Sequence, residues 1–311
     1  MCKLNDEQLR LARELHDNGE TYHDVSLYLR DNYGINISSE SLRYYVTRKD
    51  KPKLTKIEKL ENEGVEKVLV LSDLHIPYQL DNVLDAVVKH KDEISTLILG
   101  GDIIDCFKIS SFPKLDAPRL TTEMSECHKL LKAIQDVTPN VRKILIFGNH
   151  EERWKRYLGK VHSEVNNLHS ANILHEIVRG FEVHDRLLGT TTLYEPLDYE
   201  VVDNWWVQYN DMIVCHPISF SRVAAKTSQM AIDYFYERGL DFTSVLVAHT
   251  HRIASCMKFE KFAIEIGCCC KTQGYSESGK LTFSPQCNGY YLATFVDGKF
   301  DVNQSRNFIV K

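Results

Sequence analysis

Apolar positions in the first fifty residues recur every three or four places. Leu9, Ala12 and Leu15 follow Asn5, a helix-capping residue, and Gly19 closes the run, which predicts a helix over 6–18. Thr21 with Asp24 forms a capping box for a second helix, with Val25, Tyr28 and Leu29 on one face and Asn32-Tyr33-Gly34 at its end. Ser39 starts a third helix, with Leu42, Tyr45 and Val46 inward and Glu40, Arg43, Tyr44 and Thr47 opposite. From residue 66 the pattern changes. Short apolar runs at 68–71, 96–99 and 143–147 read as buried strands, and helices are expected over 82–92 and 120–137. Residues 151–200 read as helical and then irregular. The last third is strand-rich, at 205–209, 212–215, 244–248, 253–258, 261–267 and 290–297, with Asp297-Gly298 turning a terminal hairpin. Strand and helix alternating in this way predict layered α/β architecture behind a small all-α module.

Composition narrows the class. The chain has 311 residues, 43% hydrophobic and 26% charged, so one large or two smaller domains are expected, and disorder or a coiled coil is excluded as a global reading. No apolar run reaches the ~18 residues needed to cross a bilayer, and the polar N-terminus lacks a secretory core, so no membrane partner is expected. Nine cysteines without a Cys-x-x-Cys pair suggest a reduced, cytoplasmic protein. In an extended chain the adjacent Cys268-Cys269-Cys270 alternate faces, so they are expected to be buried packing rather than a thiolate metal site.

The net charge of −5 argues against a broadly nucleic-acid-coating surface, but the charge is unevenly spread. From Arg43 to Lys56 there are six basic residues and one acidic, whereas residues 1–53 as a whole balance nine against nine. Three helices in fifty residues look like a helix-turn-helix module. The expected organisation is a helical module over 1–52, a basic linker containing Lys53 and Lys56 over 53–64, and a catalytic domain over 65–311.

Chemistry gathers at the ends of the expected strands. These ends read Asp73-Leu74-His75, Gly101-Asp102-Ile103-Ile104-Asp105, Gly148-Asn149-His150-Glu151, Cys215-His216 and His249-Thr250-His251. Open α/β sheets bind ligands at the carboxyl ends of their strands. Oxygen and imidazole donors collected there suit Mn²⁺, Fe or Zn²⁺.

These motifs, in this order over about residues 66–270, resemble the calcineurin-like metallophosphoesterase family. The resemblance implies a two-sheet α/β/β/α sandwich and a binuclear divalent-metal hydrolase of phosphoesters. It implies that Asp73, His75 and His251 hold one ion, that Asn149, His216 and His249 hold the other, and that Asp102 bridges them. Mn²⁺ is expected first, with Fe, Zn²⁺, Ni²⁺ and Mg²⁺ as alternatives. The attacking group would be a metal-bridging hydroxide. His150 would act as general acid beside the metals, and Asp105 would orient it. Arg153 is a candidate contact to the substrate phosphate. Two departures from the family pattern concern small residues. Ala248 stands where glycine commonly precedes the His-x-His motif, and Pro217, not glycine, follows His216.

Cys106-Phe107 replaces the Arg-Gly of the family's serine/threonine protein phosphatases, which argues against that activity. The Gly100-Gly101-Asp102 and Asn149-His150-Glu151-Glu152-Arg153 segments and the Gly289-Tyr290 ending are similar to bacteriophage-type phosphoesterases. With a helix-turn-helix-like module in front, the expected substrate is DNA and the expected activity that of a phosphodiesterase or nuclease. Arg43, Tyr44, Arg48, Lys49, Lys51 and Lys53 are the candidate DNA contacts. The alternatives are a phosphomonoesterase or small cyclic-nucleotide phosphodiesterase whose module contacts protein, and a non-catalytic DNA-binding regulator.

Overall fold

The computed structural model describes residues 4–39, 41–42, 46, 56–57, 64–112, 114, 116–160, 169–186, 188–272 and 286–310. The chain divides into two units, Met1–Thr55 and Lys56–Lys311.

The first unit is a helical module with helices α1 (Asp6–Asp17) and α2 (Tyr22–Tyr33). Asn5 and Gln8 exchange hydrogen bonds at 2.8 and 3.0 Å, a full capping box for α1. Thr21 accepts from the Asp24 amide, and Gly34, at φ 67°, ends α2 in the left-handed region. Ala12, Val25, Leu29, Ile35 and Leu42 form its core. Two expectations are corrected. Tyr28 is 41% exposed, because the Val25–Leu29 stripe leaves it at the edge, with its ring 6.3 Å from that of Tyr33. The third helix takes its cap from Ser38, whose Oγ accepts from the Ser41 amide at 3.2 Å, rather than from Ser39. Of that helix, Ser39, Ser41, Leu42 and Val46 are described. Arg43, Tyr44, Arg48, Lys49, Lys51 and Lys53 lie outside the described residues.

The second unit contains two stacked sheets flanked by helices. One sheet orders its strands β14 (Lys299–Phe300), β13 (Gly289–Val296), β2 (Val65–Leu71), β3 (Thr96–Leu99), β4 (Arg142–Ile146) and β7 (Glu200–Val202), and β15 (Arg306–Ile309) also pairs with β13. In it β2, β3, β4 and β7 run parallel and β13 is antiparallel to β2. The other sheet orders β1 (Lys56–Ile57), β8 (Trp206–Tyr209), β9 (Met212–Cys215), β10 (Ser244–Val247), β12 (Lys261–Ile266) and β11 (Ile253–Lys258). A small hairpin, β5 (Phe181–Asp185) with β6 (Thr190–Tyr194), stands apart from both.

The layers follow from side-chain alternation. Val68, Val70, Ile98, Ile144 and Ile146 face Val207, Met212, Val214, Leu246, Ile264 and Ile266 between the sheets. Their neighbours Leu69, Leu71, Leu97, Leu99 and Leu145 point the other way, into a core shared with α3 (Val83–His90), α4 (Leu120–Val137), α5 (Glu152–Leu158) and α6 (Ile173–Arg179). On the far side, Ile213, Cys215, Val245 and Val247 pack with Ile232 and Phe235 of α7 (Lys226–Tyr236). Trp206 joins that core and Trp205 stacks on Phe235, so this tryptophan pair is packing. The result is an α/β/β/α sandwich. Helix α7, the β5–β6 hairpin and the short strands β1, β7 and β15 are not among the expected elements. Strands of two to four residues carry too few positions to show a period, β6 is exposed at all but its last position, and β5 half-buries only one face. Among the described residues no helix is long and apolar enough to cross a membrane.

Candidate metal centre

Strands β2, β3, β4, β9 and β10 all deliver their C-terminal residues to one place. Asp73 Oδ1 lies 3.2 Å from His251 Nε2, and His75 Nε2 lies 3.2 Å from the same nitrogen. His216 Nε2 lies 3.2 Å from both Asp102 Oδ2 and Asn149 Oδ1. Ligand atoms of Asp73, His75 and Asp102 fall within 4.8 Å of one another, as do those of Asp102, His216 and His249. Asp102 belongs to both groups. The structure thus brings together the seven residues that the sequence nominates as ligands.

The backbone pays for this convergence in strain. Asp73, His75, Asp102, His249 and His251 have φ between 49° and 71°, the left-handed region that costs a residue with a Cβ roughly 1–3 kcal/mol. Cross-loop hydrogen bonds hold them there: Asp73 N to Gly101 O at 3.0 Å, His75 N to Asp102 O at 2.9 Å, and His249 N to both carboxylate oxygens of Asp73 at 3.1 Å. Ala248, by contrast, does not have a positive φ, which explains why glycine is dispensable there. Glycine is needed at Gly148, where a Cβ would lie 2.3 Å from the Asp102 amide nitrogen, and at Gly101, where it would lie 2.6 Å from His216 Nδ1.

His150 stands beside this cluster. Its Nδ1 donates to Asp105 Oδ1 at 2.7 Å, and Arg153 Nη2 lies 2.8 Å from its Nε2. Arg153 Nη1 donates to the Asp105 carbonyl at 2.7 Å, and its guanidinium lies 5.7 Å from the Phe112 ring centre.

Without ions, protons balance the carboxylates. Burial opposes charge at every one of these groups, and pairing outweighs it at Asp73, Asp102, His216 and His251. Asp102 and Asp73 push His216 up to about 10, and Asp73 pushes His251 up to about 9. His251 and His216 hold Asp73 down to about 2, and His150 and His216 hold Asp102 well below the usual carboxylate range. Burial and the charge on His216 lower His249 to about 4, so it stays neutral. His249 Nε2 is buried without a hydrogen-bond partner. His75, buried and held below its ordinary value first by burial and then by His150, uses Nδ1 toward Asp105 and leaves its Nε2 lone pair facing the cluster. Bare imidazole nitrogens beside ionised carboxylates are the donor set that divalent ions take.

A family model for the calcineurin-like phosphoesterases matches residues 66–252, which span all seven of these residues. The chain belongs to the calcineurin-like phosphoesterases. It is therefore a metal-dependent phosphoesterase built on the metallophosphoesterase fold. No curated protein sequence matches it. Among solved structures it is similar to Vacuolar Protein Sorting 29 from Cryptosporidium parvum, at 15% identity and a TM-score of 0.38, covering 80% of this chain and 100% of that one. An archaeal phosphodiesterase matches at 15% identity and a TM-score of 0.36, over 78% and 99% of the two chains. Vps29 from Entamoeba histolytica, solved with Zn²⁺, matches at 12% identity and 0.37, over 78% and 98%.

Three features of this phosphoesterase site were not foreseen. Glu151, fully buried, accepts from the amides of Asp102, Ile103, Ile104 and Gly148 at 2.7–3.2 Å and so ties the β3 and β4 loops together. An acidic residue after Asn149-His150 gave no sign of this, because its partners lie 47–49 residues away except for Gly148. Arg252, buried against Glu265 at 3.2 Å, donates to the carbonyls of Ser221 and Arg222 and anchors the loop after His216. The third is Cys270, whose thiol lies within 4.8 Å of ligand nitrogens of His75 and His251. All three adjacent cysteines are buried, as expected, and Cys270 in addition borders the candidate centre. Alternation removes only Cys269, which packs in the helix-side core, and leaves its neighbours sharing a side.

Two outcomes follow from this geometry. Glu151→Ala leaves four buried amides without an acceptor and should cost about 3 kcal/mol or more of stability, read by urea denaturation. A loss below about 1 kcal/mol would mean that the loops hold together without it. Ion uptake at neutral pH should release at least two protons per chain, those of His216 and His251, because both histidines are held in the charged form by their carboxylate partners and must be neutral to ligate. Apparent affinity therefore rises with pH toward about 9–10. Calorimetry in buffers of different ionisation heat reads this directly, and heats independent of buffer would contradict it.

Proposed function

We propose that this phosphoesterase is a two-ion phosphodiesterase that cleaves DNA. The observation that carries the reading is the convergence of Asp73, His75, Asp102, Asn149, His216, His249 and His251 with His150 directly beside them. Asp73, His75 and His251 would hold one cation and Asn149, His216 and His249 the other, with Asp102 serving both. Such a pair of cations supplies Lewis-acid stabilisation of the phosphoryl oxygens and an acidified water. The oxygen-and-imidazole position around Asn149 suits Mn²⁺.

The chain's own groups do the rest. His150 delivers a proton to the leaving oxygen: Asp105, 2.7 Å from its Nδ1, orients the ring, and Nε2, beside Arg153 at 2.8 Å, is the nitrogen left to donate. Burial and the nearby Arg153 oppose its charge, but Asp102 and Asp105 hold His150 above its ordinary value, which favours the acid form. Arg153 grips a phosphate oxygen next to His150.

DNA as substrate is supported by the helical module and by the local +5 between Arg43 and Lys56. On this reading residues 1–52 engage DNA, 53–64 link, and 65–311 catalyse.

The test is a substrate screen with Mn²⁺: DNA, bis-p-nitrophenyl phosphate and p-nitrophenyl phosphate, each with and without EDTA. Cleavage of DNA and of the diester, abolished by EDTA, is expected. Monoester turnover with intact DNA would replace this reading with a phosphomonoesterase. Exchanging Arg48, Lys49, Lys51 and Lys53 for glutamine should weaken DNA cleavage and spare the small diester. An equal loss on both substrates would remove the module from substrate binding.

A further inference from the structure

The segment after β12 runs alongside the loop that carries Asp73 and His75. Cys269 N donates to the carbonyls of Ser72 and Asp73 at 3.0 and 3.2 Å, Leu80 N donates to Cys269 O at 2.9 Å, and Lys271 N donates to Tyr78 O at 2.8 Å. Gln79 and Cys270 pair as an isolated bridge. Main-chain bonds on both sides therefore hold Cys270 in a set register against one half of the candidate centre. Its side chain is fully buried. Its Sγ and one nitrogen each of His75 and His251 lie within 4.8 Å of one another, a group of one sulfur and two nitrogen donors of the kind that holds Zn²⁺.

The surroundings suit a ligating sulfur. Gln286 Nε2 reaches Cys270 Sγ at 3.7 Å and also donates to Cys270 O at 2.7 Å. Donors of this kind around a metal-bound thiolate fix its orientation and spread its charge. The other half of the centre, around Asp102, Asn149, His216 and His249, brings only oxygen and nitrogen.

We infer that Cys270 is a thiolate ligand of the ion held by Asp73, His75 and His251, so that the two cation positions differ in kind. The inference rests on the two-ion reading above. As the ion binds, the Cys270 S–H bond gives its proton to solvent and a metal–sulfur bond forms, with no change of oxidation state. A position with nitrogen, oxygen and sulfur donors favours Zn²⁺, Fe²⁺ or Co²⁺ over Mn²⁺ and Mg²⁺, whereas its neighbour retains its taste for harder ions. The centre is thereby expected to be mixed when both kinds of ion are supplied.

Cobalt separates this inference from the reading beneath it. The full-length protein, stripped of ions, is titrated with Co²⁺ and its absorption followed. Two ions per chain are expected, with visible d–d bands and a near-ultraviolet sulfur-to-cobalt charge-transfer band that saturates with one of them. Cys270→Ser should lose the charge-transfer band and keep the d–d bands, and Cys268→Ser should keep both. Bound Co²⁺ without a charge-transfer band in the unaltered protein, or a band that survives in Cys270→Ser, overturns the thiolate and leaves the two-ion reading standing. Failure to bind Co²⁺ at all overturns both. The unaltered protein, loaded with Zn²⁺ and challenged with excess Mn²⁺, should retain one Zn²⁺ per chain. Complete exchange would also count against Cys270.

Discussion

Asp102→Ala should strip the centre of both cations and of its activity together. The Asp102 carboxylate lies 3.2 Å from His216 Nε2 and 3.8 Å from His75 Nε2, and its other oxygen accepts the His150 amide at 2.8 Å. It is the one carboxylate shared by both candidate groups. Removing even an outer partner of a metal ligand costs about 10–100-fold in affinity, so loss of the shared ligand should exceed about 100-fold at each position. Without the several kcal/mol of charge stabilisation that the cations supply, kcat/KM on a diester should fall by roughly 10³-fold or more. Metal analysis after dialysis and steady-state kinetics read the two effects separately. Two ions retained per chain, with near-normal turnover, would show that Asp102 bridges nothing.

His150→Ala should split those same readouts. His150 sits beside the cluster, paired with Asp105 and Arg153; it shares a donor group with His75 and Asp105 but lies outside the two groups around Asp102, which hold Asp73, His75, His216 and His249. Metal content should therefore stay as it was. Loss of a positioned general acid costs about 10²–10⁴-fold, and only where the leaving oxygen needs a proton. Alkyl and deoxyribose leaving groups should show that loss, whereas p-nitrophenolate, which departs unprotonated, should show little. A variant that loses ions, or slows equally on both kinds of ester, would place His150 among the ligands instead. Together the two substitutions distinguish holding the cations from moving the proton.

Much of this architecture is legible before any coordinates. Runs such as 96–99 and 143–147 are apolar at every position because each strand is covered on both faces. The donors fall just past those runs because a parallel strand ends where its loop begins. The capping of α1 and α2 is equally local, since Asn5 with Gln8 and Thr21 with Asp24 act over three residues. The cap of the third helix shows the limit of such rules. Ser38 and Ser39 are chemically alike, and only the backbone geometry chooses Ser38.

The nature and order of the donors were thus written in the chain's periodicity and in its strand endings. Their assembly was not. His75 and His251 meet from 176 residues apart, and His150 and Asp102 from 48. Local spacing carries no information about such pairs, because two packed sheets create them. The left-handed turns at Asp73, His75, Asp102, His249 and His251 exist only because hydrogen bonds from neighbouring loops enforce them, against the preference of each residue alone. The same applies to Glu151, whose carboxylate serves two loops, and to Cys270. A three-cysteine run tells which residues share a side. Only the packing of that run against the Asp73–His75 loop decides that the shared side faces the centre.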